Sequence, residues 1–331
     1  MLLLPCYVLW FVSVVPALST MADLELVSVE KIWDDAPHNA FTDLLHRRDR
    51  WYCTFRESNG HVGGDGRVRV LESIDGRTWG PVALIAEEGI DLRDPKLSIT
   101  PDGRLMIVAG GSVYRGTKTL MGRQPRVMFS EDGRQWTTPK RVLDEGEWLW
   151  RVTWHEGKAY GASYSTGPGD GGDWGLKLFA SADGLNYDHV TRLDVPGRPN
   201  ETTLRFLPDG EMIALVRREE GNGMAWIGTS RAPYREWTWK PTEHRIGGPN
   251  FLRLPDGSLW AAGRSYPGGP KTVLARMTPG SYEPALILPS GGDTSYPGLV
   301  WHDGLLWISY YSSHEGKSAI YLAKVKVPLV P

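Results

Sequence analysis

Side chains suited to bond making and charge recognition lie far apart along the 331-residue chain. They are Tyr296 and Glu201, His61 and Asp65, the neighbours Arg93 and Asp94, and the arginines Arg56, Arg151, Arg217 and Arg264. Each type carries a definite chemistry. The planar guanidinium fork of arginine binds both oxygens of a carboxylate. An imidazole titrates near neutrality and can give or take a proton at working pH. A phenol, with a pKa of about 10, becomes a nucleophile only where a base removes its proton. Cys6 and Cys53 are the only cysteines, and no Cys/His grouping has the spacing of a zinc site, so neither metal nor cofactor is expected.

A fold must therefore bring these residues together, and the chain shows which one. An apolar strand, a tight turn rich in Asp and Gly, and a second apolar strand recur at residues 41–57, 96–109, 151–164, 202–217, 251–264 and 297–311. The six starts are 46 to 55 residues apart, the length of a four-stranded propeller blade. The turns read Pro-Asp-Gly from Pro101, Pro208 and Pro255, and His-Glu-Gly or His-Asp-Gly from His155 and His302. Asp-Gly pairs favour such hairpins because Gly accepts positive φ. After each of the first three hairpins comes a second signal: Ser73-Ile-Asp75-Gly76-Arg-Thr-Trp79, Ser130-Glu-Asp132-Gly133-Arg-Gln-Trp136 and Ser181-Ala-Asp183-Gly184-Leu-Asn-Tyr187. A degenerate fourth copy begins at Ser230 and ends at Trp237. These are expected to be turns between third and fourth strands, with the Asp bonding backbone amides.

The expected architecture is all-β: one six-bladed propeller over residues 24–327, with four antiparallel strands per blade. The last repeat lacks a strand, and the alternating segment Leu24 to Ile32 is predicted to pair beside Ala319 to Val327 and close the ring. Innermost strands would start on one face and second strands return to it. All the residues named at the outset then collect around one central funnel, while His155, His302 and the Ser-Asp turns fall on the opposite face.

The repeated Ser-Asp-Gly-aromatic turns resemble the Asp box, or BNR repeat, of the sialidase superfamily. The stretch from Asn200-Glu201 to Arg217 is similar to the sialidase segment in which a Glu opens an innermost strand and an Arg closes the next. Tyr296, before Pro297-Gly298-Leu299, is similar to the nucleophilic tyrosine of exo-α-sialidases. The resemblance implies that Tyr296 attacks, Glu201 takes its proton, Arg217 binds a substrate carboxylate, and His61 or Asp65 serves as acid/base. Arg93, Asp94, Arg151, Arg56 and Arg264 are further candidates for substrate binding. The sialidase arginine triad is incomplete: His38-Asn39-Ala40 stands where the first arginine is expected, and Arg264 or Lys271 is the nearest match to the third. The implied function is an exo-acting glycoside hydrolase on an acidic or polar glycan. A polysaccharide lyase on a uronate-containing glycan and a non-catalytic glycan-binding propeller are the alternatives.

Composition shows no strong electrostatic bias toward any partner. With 37 Lys+Arg against 39 Asp+Glu there is no basic stripe to bind nucleic acid. The apolar run Leu2 to Leu18 followed by Ser19 reads as a signal peptide over residues 1–20, making the mature protein secreted or periplasmic with no membrane segment. Translation from Met21 would instead leave it cytoplasmic. Oligomeric state has no signature in the sequence.

Overall fold

A computed structural model describes residues 24–116, 119–166 and 174–329; the expected signal segment lies outside them. Among the described residues the strands, β1 to β24 in chain order, form six four-stranded antiparallel sheets and no helix. These are the six blades. The first holds β2 (His38–Arg47) and β3 (Arg50–Ser58), followed by β4 (Arg67–Ser73) and β5 (Gly80–Ile85). The other innermost strands are β6 (Asp91–Ile99), β10 (Glu147–His155), β14 (Pro199–Phe206), β18 (Gly247–Arg253) and β22 (Thr294–His302). In the last blade β22 pairs with β23 (Leu305–Ser312), β23 with β24 (Ala319–Lys326), and β24 with β1 (Glu25–Trp33). The N-terminal strand thus closes the ring, with Glu25 opposite Lys326 and Trp33 opposite Ile320.

Middle strands are apolar on both sides because each blade is sandwiched between two neighbours. In β7 (Leu105–Arg115), Leu105, Ile107 and Ala109 pack toward the first blade with Tyr52 and Val70, whereas Met106 and Val108 pack toward the third with Leu149 and Val152. Alternate side chains serve alternate interfaces. The first and last blades meet the same way, with Trp51 stacked on Trp307 at 4.3 Å between ring centres. Near the axis the innermost strands approach closely. A Cβ at Gly298 would lie 2.1 Å from the Leu44 amide nitrogen, so only glycine permits that approach.

Each innermost strand also carries a bulge at the same level, where two residues oppose one on the second strand. The unpaired pairs are Phe41-Thr42, Asp94-Pro95, Trp150-Arg151, Asn200-Glu201, Gly248-Pro249 and Tyr296-Pro297. Proline, which has no N–H to pair, suits such a position. Phe41, Asp94, Gly248 and Tyr296 have positive φ there, between 49° and 64°. Bulges re-aim side chains, and here they mark the funnel wall. They also explain why the innermost strands begin before the expected hairpins, at residues 38, 91, 147, 199, 247 and 294. The polar mouth residues and the bulge break the apolar alternation, which resumes only beyond them.

The Ser-Asp turns lie at the ends of third strands as expected. Asp75 Oδ1 accepts the amides of Arg77 and Thr78 at 2.8 Å, and Asp132 and Asp183 repeat the pattern with the two residues after each Gly. Those amides hold the Asp75 carboxyl down to about 2. The turn from Ser230 has no Asp, and Ser230 Oγ donates instead to the Glu236 carbonyl at 2.6 Å.

Candidate active site

Tyr296 and Glu201, 95 residues apart in sequence, meet at the base of the funnel: the phenol donates to Glu201 Oε1 at 2.6 Å. The bulges of β22 and β14 aim both inward. Arg217 Nη1 donates to Glu201 Oε2 at 2.7 Å and to the Tyr296 oxygen at 3.0 Å, and the Gly248 amide donates to Oε2 at 2.7 Å. Burial by itself would raise the Glu201 pKa, but the Arg217 charge and these bonds outweigh it and hold the carboxyl below its ordinary value. Burial, reinforced by the Glu201 charge, pushes the Tyr296 phenol well up. At rest the pair is a neutral phenol on a carboxylate.

Arg217 is also held from its other side by Glu219, with Nη2 2.5 Å from Oε1. In the free protein this arginine is therefore engaged by two carboxylates. Arg264 is similarly occupied. Its Nε donates to the Thr294 carbonyl at 2.8 Å, and its Nη2 to the Tyr311 hydroxyl at 2.8 Å, with Asp293 Oδ1 at 3.4 Å.

The cavity above the pair has a volume of about 200 Å³ and is lined by Phe41, His61, Arg93, Asp94, Ser112, Tyr114, Leu120, Arg123, Trp148, Tyr164, Glu201 and Tyr296. That is less than the ~300–1,000 Å³ of pockets for drug-sized ligands, and it suits a single sugar residue. Trp148 and Tyr164 contribute aromatic rings to the wall, with the Arg123 guanidinium over both. Arg93 sits over the Phe41 ring at 5.0 Å and donates to the His61 carbonyl at 2.8 Å. Asp94 is buried in the wall, its Oδ1 has no partner, and burial raises its pKa despite Arg93 and Lys96. A carboxyl in that setting favours the protonated form.

Three expected site residues stand elsewhere. Arg56 is fully buried, with Nε and Nη2 on the two oxygens of Asp91 at 2.7 and 2.9 Å, so it ties the first blade to the second. Arg151 lies beneath the floor, paired with Asp43 at 2.8 Å. Its bulge turns Trp150 toward Tyr296, at 5.6 Å between ring centres. Asp65 accepts from Asn59 and faces a separate groove beside Asp35, Glu57, Arg67 and Arg69. In the floor Lys96 donates to the Thr42 carbonyl, and burial, helped by the Arg151 charge, brings its pKa down to about 8.

Several residues were not anticipated. Tyr164 ends a second strand, β11 (Lys158–Ser165), so the rule that placed Arg217 at the mouth would have found it. Arg123 comes from β8 (Thr119–Ser130), which with β7 forms a hairpin longer than those of the other blades. Asp293 immediately precedes β22 and accepts His61 Nδ1 at 2.7 Å, His38 Nε2 at 3.0 Å and the Tyr311 hydroxyl at 2.7 Å. These bonds and the His61 charge outweigh burial and hold its carboxyl far below the usual range. Residues 38, 61 and 293 have no sequence spacing that suggests a cluster.

No family model matches the sequence, and no curated protein matches it. Solved structures do. A protein of unknown function from Dyadobacter fermentans aligns with a TM-score of 0.82 at 19% identity, over 92% of this chain and 99% of that one. An α-L-arabinofuranosidase from Fusarium graminearum aligns at 0.73 and 15% identity, over 91% and 98%. The Trypanosoma rangeli sialidase aligns at 0.69 and 11% identity over 87% of this chain.

The chain has the sialidase-like propeller fold. It spans only 55% of the trypanosomal sialidase, about half that protein's length. Both neighbours of stated activity are glycoside hydrolases by name. At these identities the likeness is one of fold, and what this sialidase-like propeller does must be argued from its own side chains.

Proposed function

We propose that this propeller is an exo-acting glycoside hydrolase for an acidic or otherwise polar terminal sugar, with Tyr296 as nucleophile and Glu201 as its base. The observation that carries the reading is the 2.6 Å hydrogen bond between them in the wall of a small cavity. A phenol buried against a carboxylate can attack only as its proton passes to that carboxylate. A neutral nucleophile also avoids repulsion by an acidic substrate.

In the first step Tyr296 Oη bonds to the anomeric carbon while its proton goes to Glu201 and the bond to the leaving-group oxygen breaks. Asp94, the wall carboxyl with an unpartnered oxygen, gives that oxygen a proton. In the second step water attacks the anomeric carbon and yields a proton to Asp94. Tyr296 departs and recovers its own proton from Glu201. Asp94 takes the acid/base role expected of His61 or Asp65, because Asp65 faces another groove and His61 Nδ1 is bonded to Asp293. Arg93 and Arg123 in the wall supply positive charge, and Trp148 and Tyr164 supply surfaces for the sugar ring.

A hydrolysis screen over a library of terminal sugars tests the reading, with Tyr296→Phe as control. Release of a reducing monosaccharide by the wild type alone is expected. An unsaturated product that absorbs in the ultraviolet would replace the hydrolase with a lyase. Intact ligand bound without turnover would leave a glycan-binding propeller.

A further inference from the structure

The cluster around Asp293 does no work in that reaction, yet it brings three ligating side chains to one point. We propose that His38, His61 and Asp293 form a binding site for a single divalent transition-metal cation at the rim of the funnel. Their donor atoms all lie within 4.8 Å of one another. Asp293 Oδ2 is 2.7 Å from His61 Nδ1 and 3.0 Å from His38 Nε2. The two rings stand edge to face at 82°.

Asp293 and His61 are already anchored, while His38 Nδ1 is buried without a partner. Asp293 Oδ1 accepts the Tyr311 hydroxyl at 2.7 Å and lies 3.4 Å from Arg264, which leaves Oδ2 for the ion. The Asp293 amide donates to Ser313 Oγ at 2.9 Å. His38 opens β2 and is bridged to Ser318, and the His61 carbonyl is held by Arg93. Such anchoring of the ligating carboxylate by outer hydrogen bonds is characteristic of metal sites.

Two imidazole nitrogens and one carboxylate oxygen are a donor set for zinc-like ions rather than for calcium or magnesium, which take mostly oxygen. Ligands around a tetrahedral zinc at ~2.0–2.1 Å stand about 3.3 Å apart. The present contacts would widen by about 0.3–0.6 Å on binding. His61 can supply that movement, because its side chain is half exposed and follows Gly60 in a glycine-rich loop. The Arg264 charge opposes the ion from the Oδ1 side. His61 also lines the cavity.

The test is calorimetric titration of zinc chloride into the chain, stripped with chelator and prepared without a histidine tag. One saturable equivalent is expected, together with a zinc-dependent rise in Tm. His61→Ala should weaken binding at least about tenfold, and so should Asp293→Asn. His155→Ala, on the far face, should leave binding unchanged. His61 is the more exposed ligand, so its variant decides the matter should Asp293→Asn fail to fold. No saturable binding by the wild type, or binding that survives His61→Ala, would overturn the proposal and leave the three groups as hydrogen-bond partners only. Hydrolysis is not measured in this experiment, so its outcome is independent of the hydrolase reading.

Discussion

Changing Tyr296 to Phe removes one oxygen from a buried pair and leaves the ring contacts with Phe41 and Trp150 in place. That oxygen donates to Glu201 at 2.6 Å and accepts from Arg217 at 3.0 Å. A hydrogen bond to a charged partner contributes ~1.5–3 kcal/mol, and both groups are buried, so screening by water is slight. We expect a loss of about 2 kcal/mol in stability at neutral pH. The sign of the pH effect follows from Glu201. Its pKa is held below the ordinary 4.5, in part by this bond. A depressed carboxylate contributes stability above its unfolded pKa and loses it as pH falls through the folded value. The stability gap between wild type and variant should therefore be full above about pH 5 and shrink on further acidification. Turnover should fall by at least about a thousandfold, a barrier increase of ~4 kcal/mol, which greatly exceeds the stability loss. Denaturant unfolding at neutral and acid pH, with a chromogenic glycoside of the sugar found by screening, measures both. A gap that persists unchanged in acid, or turnover within tenfold of wild type, would refute the coupling of phenol and carboxylate.

Adding Glu201→Gln to Tyr296→Phe should cost little further turnover, because groups acting in one step are not additive; independent, multiplying losses would contradict the shared role. Asp94→Asn should slow natural glycosides strongly but spare aryl glycosides whose leaving group needs no proton, and equal losses on both would remove Asp94 from that role. Asp132→Ala, which frees the amides of Arg134 and Gln135 on the far face, should lower stability by about 1 kcal/mol with the specific activity of folded protein unchanged. Deleting residues 24–33 should leave β24 as an open edge, seen as a lower Tm and concentration-dependent aggregation; an unchanged Tm would mean that ring closure contributes nothing.

The blades were legible because their signals are local. Asp-Gly turns and Ser-Asp turns repeat at blade length, and the missing strand of the last repeat pointed to the N-terminal segment that fills it. The meeting of Tyr296 and Glu201 was legible because each lies near the start of an innermost strand, and the fold brings all such starts to one ring. Where individual side chains turn was not legible. Arg56 and Arg151 lie in the strands nearest the axis, but each has a buried carboxylate to meet: Asp91 on the next blade for Arg56, and Asp43, two blades away, for Arg151. No linear pattern reports such a partner. The His38, His61 and Asp293 cluster escaped notice for the same reason, since its members come from the first blade, the loop after β3, and the approach to β22.

The six bulges have a consequence for how such a ring can change. They lie at one depth and repeat by rotation, so the mouth behaves as six exchangeable sockets, each loaded by a residue whose identity the blade behind it does not dictate. Phe41, Asp94, Trp150, Asn200, Gly248 and Tyr296 share the two-against-one register, and four of them the positive φ, but little chemistry. One socket is left empty to serve its neighbour. A Cβ at Gly248 would come within 2.7 Å of the Tyr296 ring, so that vacancy lets the phenol lean across while the Gly248 amide fixes Glu201 from the other side. A new specificity could thus arise by reloading one socket at a time, with the Gly248 vacancy tied to the continued presence of the tyrosine beside it.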